Sequence, residues 1–382
     1  MKRHPRRIRR LRDNERGMML VFAGLGLIAF MSASALALDV GMFMAARSQS
    51  QAAADAGALA GAVALVYDNW DDRSAAGPAV QSAIKAATND SNAVMSKPVS
   101  VLPGDVTFPA IDKVRVRVQR TAGRGNPLLP FIAPMFGVNE VDMGAVATAQ
   151  AAPANAMTCV KPFTIPDRWE EHQTGAWDPE DSFDLTDDKG NPIANPDVYI
   201  PVGTPGYTGY DSQRDRGVRV TIKASNDSKL YPSFYYPFDI NGETGADPYR
   251  WNISNCNTTI LKPQQLITTE PGNMVGPTKQ GIADLVALDP DAYWDETAQK
   301  PVSKMHPSPR VVTIPVFDPV YYYTGKMNGK NADLKVANFI GIFIEGMVGD
   351  EVVARITPVP GILNGSGPAP QGMFPKVIVL VQ

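Results

Sequence analysis

Apolar residues fill the stretch from Gly17 to Leu38 without a single charge, and the small residues that follow keep a helix-compatible pattern as far as Val66. A bilayer core about 30 Å thick needs roughly 20 such residues, so GMMLVFAGLGLIAFMSASALAL predicts a transmembrane helix over 17–38. DVGMFMAARSQSQAAADAGALAGAVALV then contains no proline and is dominated by alanine, which favours continuation of the same helix. At about 1.5 Å per residue the predicted rod is on the order of 75 Å long, half of it outside the bilayer. Within it Ala52, Ala56, Ala60 and Ala64 recur every fourth residue beside Gly41, Ala53, Gly57 and Gly61. Small side chains in such a strip let another backbone come close. The partner is either the protein's own globular region or another subunit.

Farther on, the period changes. AGPAVQSAIKAATND predicts a second short helix with Pro78 in its first turn. In VTFPAIDKVRVRVQRT, Val114, Val116 and Val118 alternate with Arg115, Arg117 and Gln119, predicting a strand with one buried and one solvated face. NPLLPFIAPMFGV predicts a loop into a short apolar helix that stops at Gly137, and EVDMGAVATAQA another strand. Residues 39–152 are thus expected to be a helical stalk with a small pilin-like α+β unit, joined through a linker, AAPANAM, to a β-rich domain over 153–382. There the strand candidates are DVYIPV, GVRVTIKAS, SPRVVTIPVFDPVYYY, ANFIGIFIEGMVGDEVVARITPV and PKVIVLVQ. A hairpin is expected at Gly349 and Asp350. Only GPTKQGIADLVALD has helical spacing, so the fold class is α+β with a sandwich or mixed sheet bearing one helix. VIVLVQ is expected centrally in that sheet, because a bare apolar edge invites aggregation.

Charge fixes the expected orientation. Arg6, Arg7, Arg9, Arg10, Arg12 and Arg16 crowd residues 1–16, opposed there only by Asp13 and Glu15. By the positive-inside rule this tail stays cytoplasmic and everything after Asp39 lies outside. The tail therefore needs no nucleic acid to explain it, and a net charge of −3 over the whole chain gives no general reason to expect one. Two processing alternatives stay open: cleavage at the small-x-small pattern Ala35-Leu36-Ala37, and a prepilin-type cut after Gly17, for which Phe22 stands where a glutamate is usual. Cys159 and Cys256, the two cysteines, both follow the span, where an oxidising compartment permits their pairing. Two buried thiols are the other reading, and a zinc site lacks ligands.

The basic tail, the apolar helix and the junction LALDVGMFMAARSQSQAAADAGALAGA resemble the amino-terminal region of TadG-like proteins of the Flp, or Tad, pilus assembly system. Asp39 with Gly41 two residues later, then Phe43, Arg47 and the alanine run from Gln51 to Gly61, carry the resemblance, closely over about the first 65 residues and more loosely to 152. It implies a single-pass protein of the bacterial inner membrane, amino terminus cytoplasmic and later domains periplasmic. Its implied partners are other pilin-like membrane proteins of the same apparatus and the lipid bilayer, with self-association open. Larger members of that family can carry a von Willebrand type A domain, whose DxSxS metal-site motif is absent here.

Candidate chemistry is sparse. His4, His172 and His306 fit no metalloprotease spacing, and no GxSxG elbow is present. GLGLIA at Gly24–Ala29 fits a dinucleotide fingerprint in letters only, since it lies inside the predicted span. Asp178, Glu180, Asp181, Asp184, Asp187 and Asp188 offer oxygen ligands, but their spacing departs from a calcium loop and a solvated acidic turn is expected. The rings at Tyr231–Phe238 and Tyr321–Tyr323 are read as core, with a contact face as the alternative. No cofactor and no catalysis are expected. The expected role is a membrane-anchored structural component, and the rival is a tethered cell-envelope module whose β-rich domain recognises glycan or protein.

Overall fold

The computed structural model describes residues 12–89, 99–173, 175, 177–187, 189–224, 229–324, 333–365 and 367–381. Arg6, Arg7, Arg9, Arg10, His4 and Asp188 lie outside them. The chain divides into two compact units, one comprising Met1–Gly61, Arg73–Ala149 and Leu380–Gln382, the other Ala62–Asp72 and Gln150–Val379.

The first unit is organised by α1, Arg12–Tyr67, which is unbroken as its composition predicts. Helix α2, Pro78–Ala87, starts on proline and turns Ala79, Val80, Ala83 and Ala87 inward. The valine alternation becomes a hairpin, β1 (Val106–Ala110) and β2 (Lys113–Arg120), antiparallel with Val106 opposite Val116. Val114, Val116 and Val118 are fully buried. The hairpin belongs to a four-stranded sheet of order β1-β2-β3-β13, with β3 at Met143–Pro153 and β13 at Lys376–Val381. β13 therefore lies at a sheet edge beside β3, half-buried except for the exposed Leu380, which corrects the central position expected for VIVLVQ; Gln382 lies outside the described residues.

The second unit is a mixed sheet closed on itself. Its order is β10 (Val311–Phe317), β4 (Phe163–Pro166), β6 (Phe234–Pro237), β5 (Arg219–Ala224), β12 (Glu351–Ile356), β11 (Asp333–Val348), then β7 (Leu266–Thr268), and β10 also pairs with β11, while β8 (Tyr293–Asp295) and β9 (Lys300–Val302) pair as a separate antiparallel ribbon. The sixteen-residue β11 makes closure feasible by pairing β10 through Val336–Phe343 and β12 through Ile342–Val348. Register shifts on these ladders supply the bends. Gly349, with φ +63°, turns the expected hairpin. The core of this unit includes Phe163, Ile165, Ile222, Ile314, Phe339 and Ile342, all fully buried and drawn from both faces of the sheet.

Helices are more numerous than the spacing predicts. α3 (Ala246–Ser254) packs on the expected α4 (Val275–Ala287), where a methyl group on Gly281 would meet Ile253 at 2.8 Å. PVYYYT, read as strand, is α5 (Pro319–Thr324), because Asp318 accepts the Tyr321 N–H at 2.9 Å as a cap and Pro319 sets the first turn. DVYIPV makes a single bridge, Val198 to Glu170, and no strand. AAPANAM is built into the second unit, with Ala154 and Ala156 fully buried and the Asn155 N–H donating to Ile362 O at 3.1 Å. Cys159 and Cys256 form a disulfide, Cα–Cα 4.3 Å, across 97 residues of sequence. Closing a loop of that length removes about 4–5 kcal/mol of denatured-chain entropy.

A buried carboxylate follows β4. Asp167 accepts the hydroxyls of Tyr207 at 2.8 Å and Tyr199 at 3.1 Å, and the N–H groups of Tyr210 and Arg168. Burial outweighs these bonds and pushes its pKa up to about 6. A carboxyl raised in the folded state favours folding fully below its unfolded value near 4, and that contribution is lost as pH rises through about 6. Denaturant midpoints measured from pH 4 to pH 7 should therefore fall less for Asp167→Asn than for the wild type. The gap should be on the order of 3 kcal/mol, because asparagine cannot ionise.

Candidate interaction site on the long helix

From Gly17 onward α1 is long and apolar enough to cross a membrane. Its first part has almost nothing packed on it, and Met19, Leu20, Phe22, Ile28, Phe30 and Met31 are all exposed. Arg12 opens the helix and Arg16 lies within it. Beyond Leu38 one side becomes buried, through Ala46, Ser50, Ala53, Ala54, Gly57, Ala58 and Gly61.

The glycines explain how that side is filled. A methyl group on Gly57 would lie 3.0 Å from both Ala83 O and Ala87 Cβ, and one on Gly61 2.9 Å from Val114 Cγ1 and 3.1 Å from Ala83 Cβ. Helix α2 and strand β2 thus rest on the backbone of α1. The alanine strip behaves differently: Ala52 is exposed, Ala56 and Ala60 are half-buried, and Ala64 is buried. A four-residue repeat advances about 40° per step around a helix, so the strip winds off one face while the Gly57–Gly61 face stays inside. Gly41 is exposed with nothing within 4 Å of the methyl position.

Asp39 has a role that spacing alone did not reveal. It is only 3% exposed. Its Oδ1 accepts the Phe131 N–H at 2.7 Å, its Oδ2 accepts the Ala133 N–H at 2.7 Å, and the Ile132 N–H is shared between the two at 3.3 and 3.0 Å. The loop after β2 is thereby fixed to α1 where the apolar run ends. A lone carboxylate closing a long apolar segment was the available signal; the amides that need it are some ninety residues away and invisible to a local reading. Lower on the helix Gln51 bonds Asp55 at 2.8 Å and Val146 O at 3.3 Å.

The other candidates fall into structural places. His172 Nε2 lies 3.5 Å from Glu170 Oε1, and His306 is exposed. In the acidic loop Asp187 accepts the N–H groups of Lys189 and Asn191, as a turn residue does. Among the described residues no group of three or more His, Cys, Asp or Glu side chains converges as metal ligands. Phe234, Tyr235 and Phe238 are buried, while Tyr236, Phe317 and Tyr322 stack on one another within 5.7 Å.

Leucine at Gly61 should cost the full-length protein at least ~1–3 kcal/mol through overpacking. Leucine at the exposed Ala52 should leave its thermal unfolding midpoint unchanged. Circular dichroism melts of the two variants check this, and an equal drop in both would contradict the packing described.

Residues 17–64 match the family model described as putative Flp pilus-assembly TadE/G-like. No curated protein and no solved structure matches the chain. The matched segment runs from the first residue of the apolar run to the end of the buried alanine-glycine face, taking in Asp39, Gly57 and Gly61. Residues 17–64 are thus a TadE/G-like Flp pilus-assembly segment, which ties this membrane-anchored chain to Flp/Tad pilus assembly.

Proposed function

We propose that the protein is a non-enzymatic, single-pass structural component of the Flp/Tad pilus apparatus in a bacterial inner membrane. Its basic tail is cytoplasmic, its apolar run crosses the membrane, and the chain after Asp39 is periplasmic. Pilin-like membrane partners pack against the part of α1 that its own fold leaves uncovered, from the apolar span through Gly41 and Ala52. The observation that carries this reading is the family match over 17–64, which falls on the apolar helix and its alanine-rich continuation.

Three features support the finer points. The arginines before Gly17 supply the charge asymmetry that holds a tail in the cytoplasm. The Cys159–Cys256 disulfide suits an oxidising compartment on the other side. Gly57 and Gly61 are occupied by α2 and β2, which leaves partner contacts to the exposed residues of the helix.

Exchanging residues 17–64 for an unrelated helix would also remove the face on which α2 rests, so the informative swap is confined to 17–38. With an unrelated transmembrane segment there, membrane level should stay normal and surface pilus yield should fall severely. Unchanged yield would sink the assembly role of the span and favour a tethered binding module.

A further inference from the structure

Between β2 and β3, Leu128 and Val141 form an isolated bridge, each donating its N–H to the other's carbonyl at 3.0 and 2.9 Å. The loop so closed, LPFIAPMFGVNE, carries no charge before Glu140. Its large side chains are little covered, with Phe131 and Met135 each 84% exposed and Phe136 74%. Apolar surface concentrated on one short loop marks a contact surface.

Its neighbour indicates what the contact is. A crevice of about 260 Å³ separates the loop from α1, with Ile28, Met31 and Ala35 on one wall and Ile132, Met135 and Phe136 on the other. Measured along the helix from Asp39, Ala35 is about 6 Å and Ile28 about 16 Å into the apolar run. The loop therefore lies beside the half of the span next to Asp39. Whatever solvent surrounds that half of α1 also bathes the loop. For an exposed apolar helix of this length that solvent is hydrocarbon.

The backbone is prepared for the same surroundings. Pro130 and Pro134 have no N–H to satisfy. Phe131, Ile132 and Ala133 donate to Asp39, Met135 to Ile132 O at 2.9 Å, Gly137 to Pro134 O at 3.1 Å and Val138 to Ala133 O at 3.1 Å. Gly137, at φ +84°, lets the short helix Ala133–Phe136 end inside the loop. Non-helical backbone survives at membrane depth only where protein groups take up its hydrogen bonds. A loop in water has no such requirement.

We propose that residues 129–138 form a second membrane anchor, an apolar loop that dips into the leaflet adjoining Asp39 and contacts lipid acyl chains. The proposal rests on α1 spanning the bilayer and is independent of the role in pilus assembly.

The full-length protein has no free thiol, since its two cysteines are bonded to each other. Single variants Phe131→Cys, Met135→Cys, Ile28→Cys and Ile111→Cys can each carry an environment-sensitive fluorophore in phosphatidylcholine–phosphatidylglycerol vesicles. Ile28 reports the span, and Ile111, exposed in the β1–β2 turn, reports water. Labels at 131 and 135 are expected to lose emission to acyl-chain nitroxide lipids, as at 28, and to resist aqueous iodide. Quenching by iodide as at 111, or shielding from both quenchers as a protein partner would give, overturns the proposal. Lipid quenching at 28 alone rejects the loop while leaving the anchor and the assembly reading intact; its absence at all four positions rejects the anchor too.

Discussion

Direct backbone contact at Gly57 and Gly61 is the constraint on which the first unit depends. Helix α2 and the valine face of β2 approach α1 closely enough that a single added methyl group at either glycine would be crowded. That contact explains why the alanine-rich part of the helix, poor in large apolar side chains, can still organise a sheet. Dispersion at short range replaces bulk. It also divides the labour along α1, because the residues its own fold occupies are closed to partners.

The second unit reaches order differently. Closing the sheet into a ring removes most exposed strand edges, and the interior is filled by large aliphatic and aromatic side chains. A polar cost accompanies that density. Asp167 is fully buried, and its ring of tyrosine hydroxyls and amides compensates only in part. The same partners connect distant segments, since Tyr207 also receives the Asn338 side-chain amide of β11 at 2.9 Å.

Much of this was legible in the sequence where one side chain or one period decides the outcome. The unbroken α1, the proline-started α2, the alternating β2 and the stop at Gly137 all depend on neighbours within a few residues. α5 was misread because tyrosines suit strands by propensity, while the Asp318 cap and Pro319 decide for helix. Ring closure and the edge position of β13 were out of reach, since pairing partners far apart in sequence leave no local pattern. The strip of alanines at every fourth position was a real feature of composition but a poor guide to a face, because the helical turn is shorter than the repeat. Asp39 was visible as a residue and not as a clamp, for want of any local sign of the amides it holds.

One further consequence lies in the interval between Asp39 and Gly57, which at about 3.6 residues per turn is a whole number of turns. The carboxylate that holds the loop and the glycine that admits α2 therefore share one meridian of α1. Loss or gain of a single residue between them would swing one docking point about 100° from the other. Point substitutions on the outer surface of this stretch leave that alignment intact, whereas its length is not free to drift, and chains built on the same plan should keep that count.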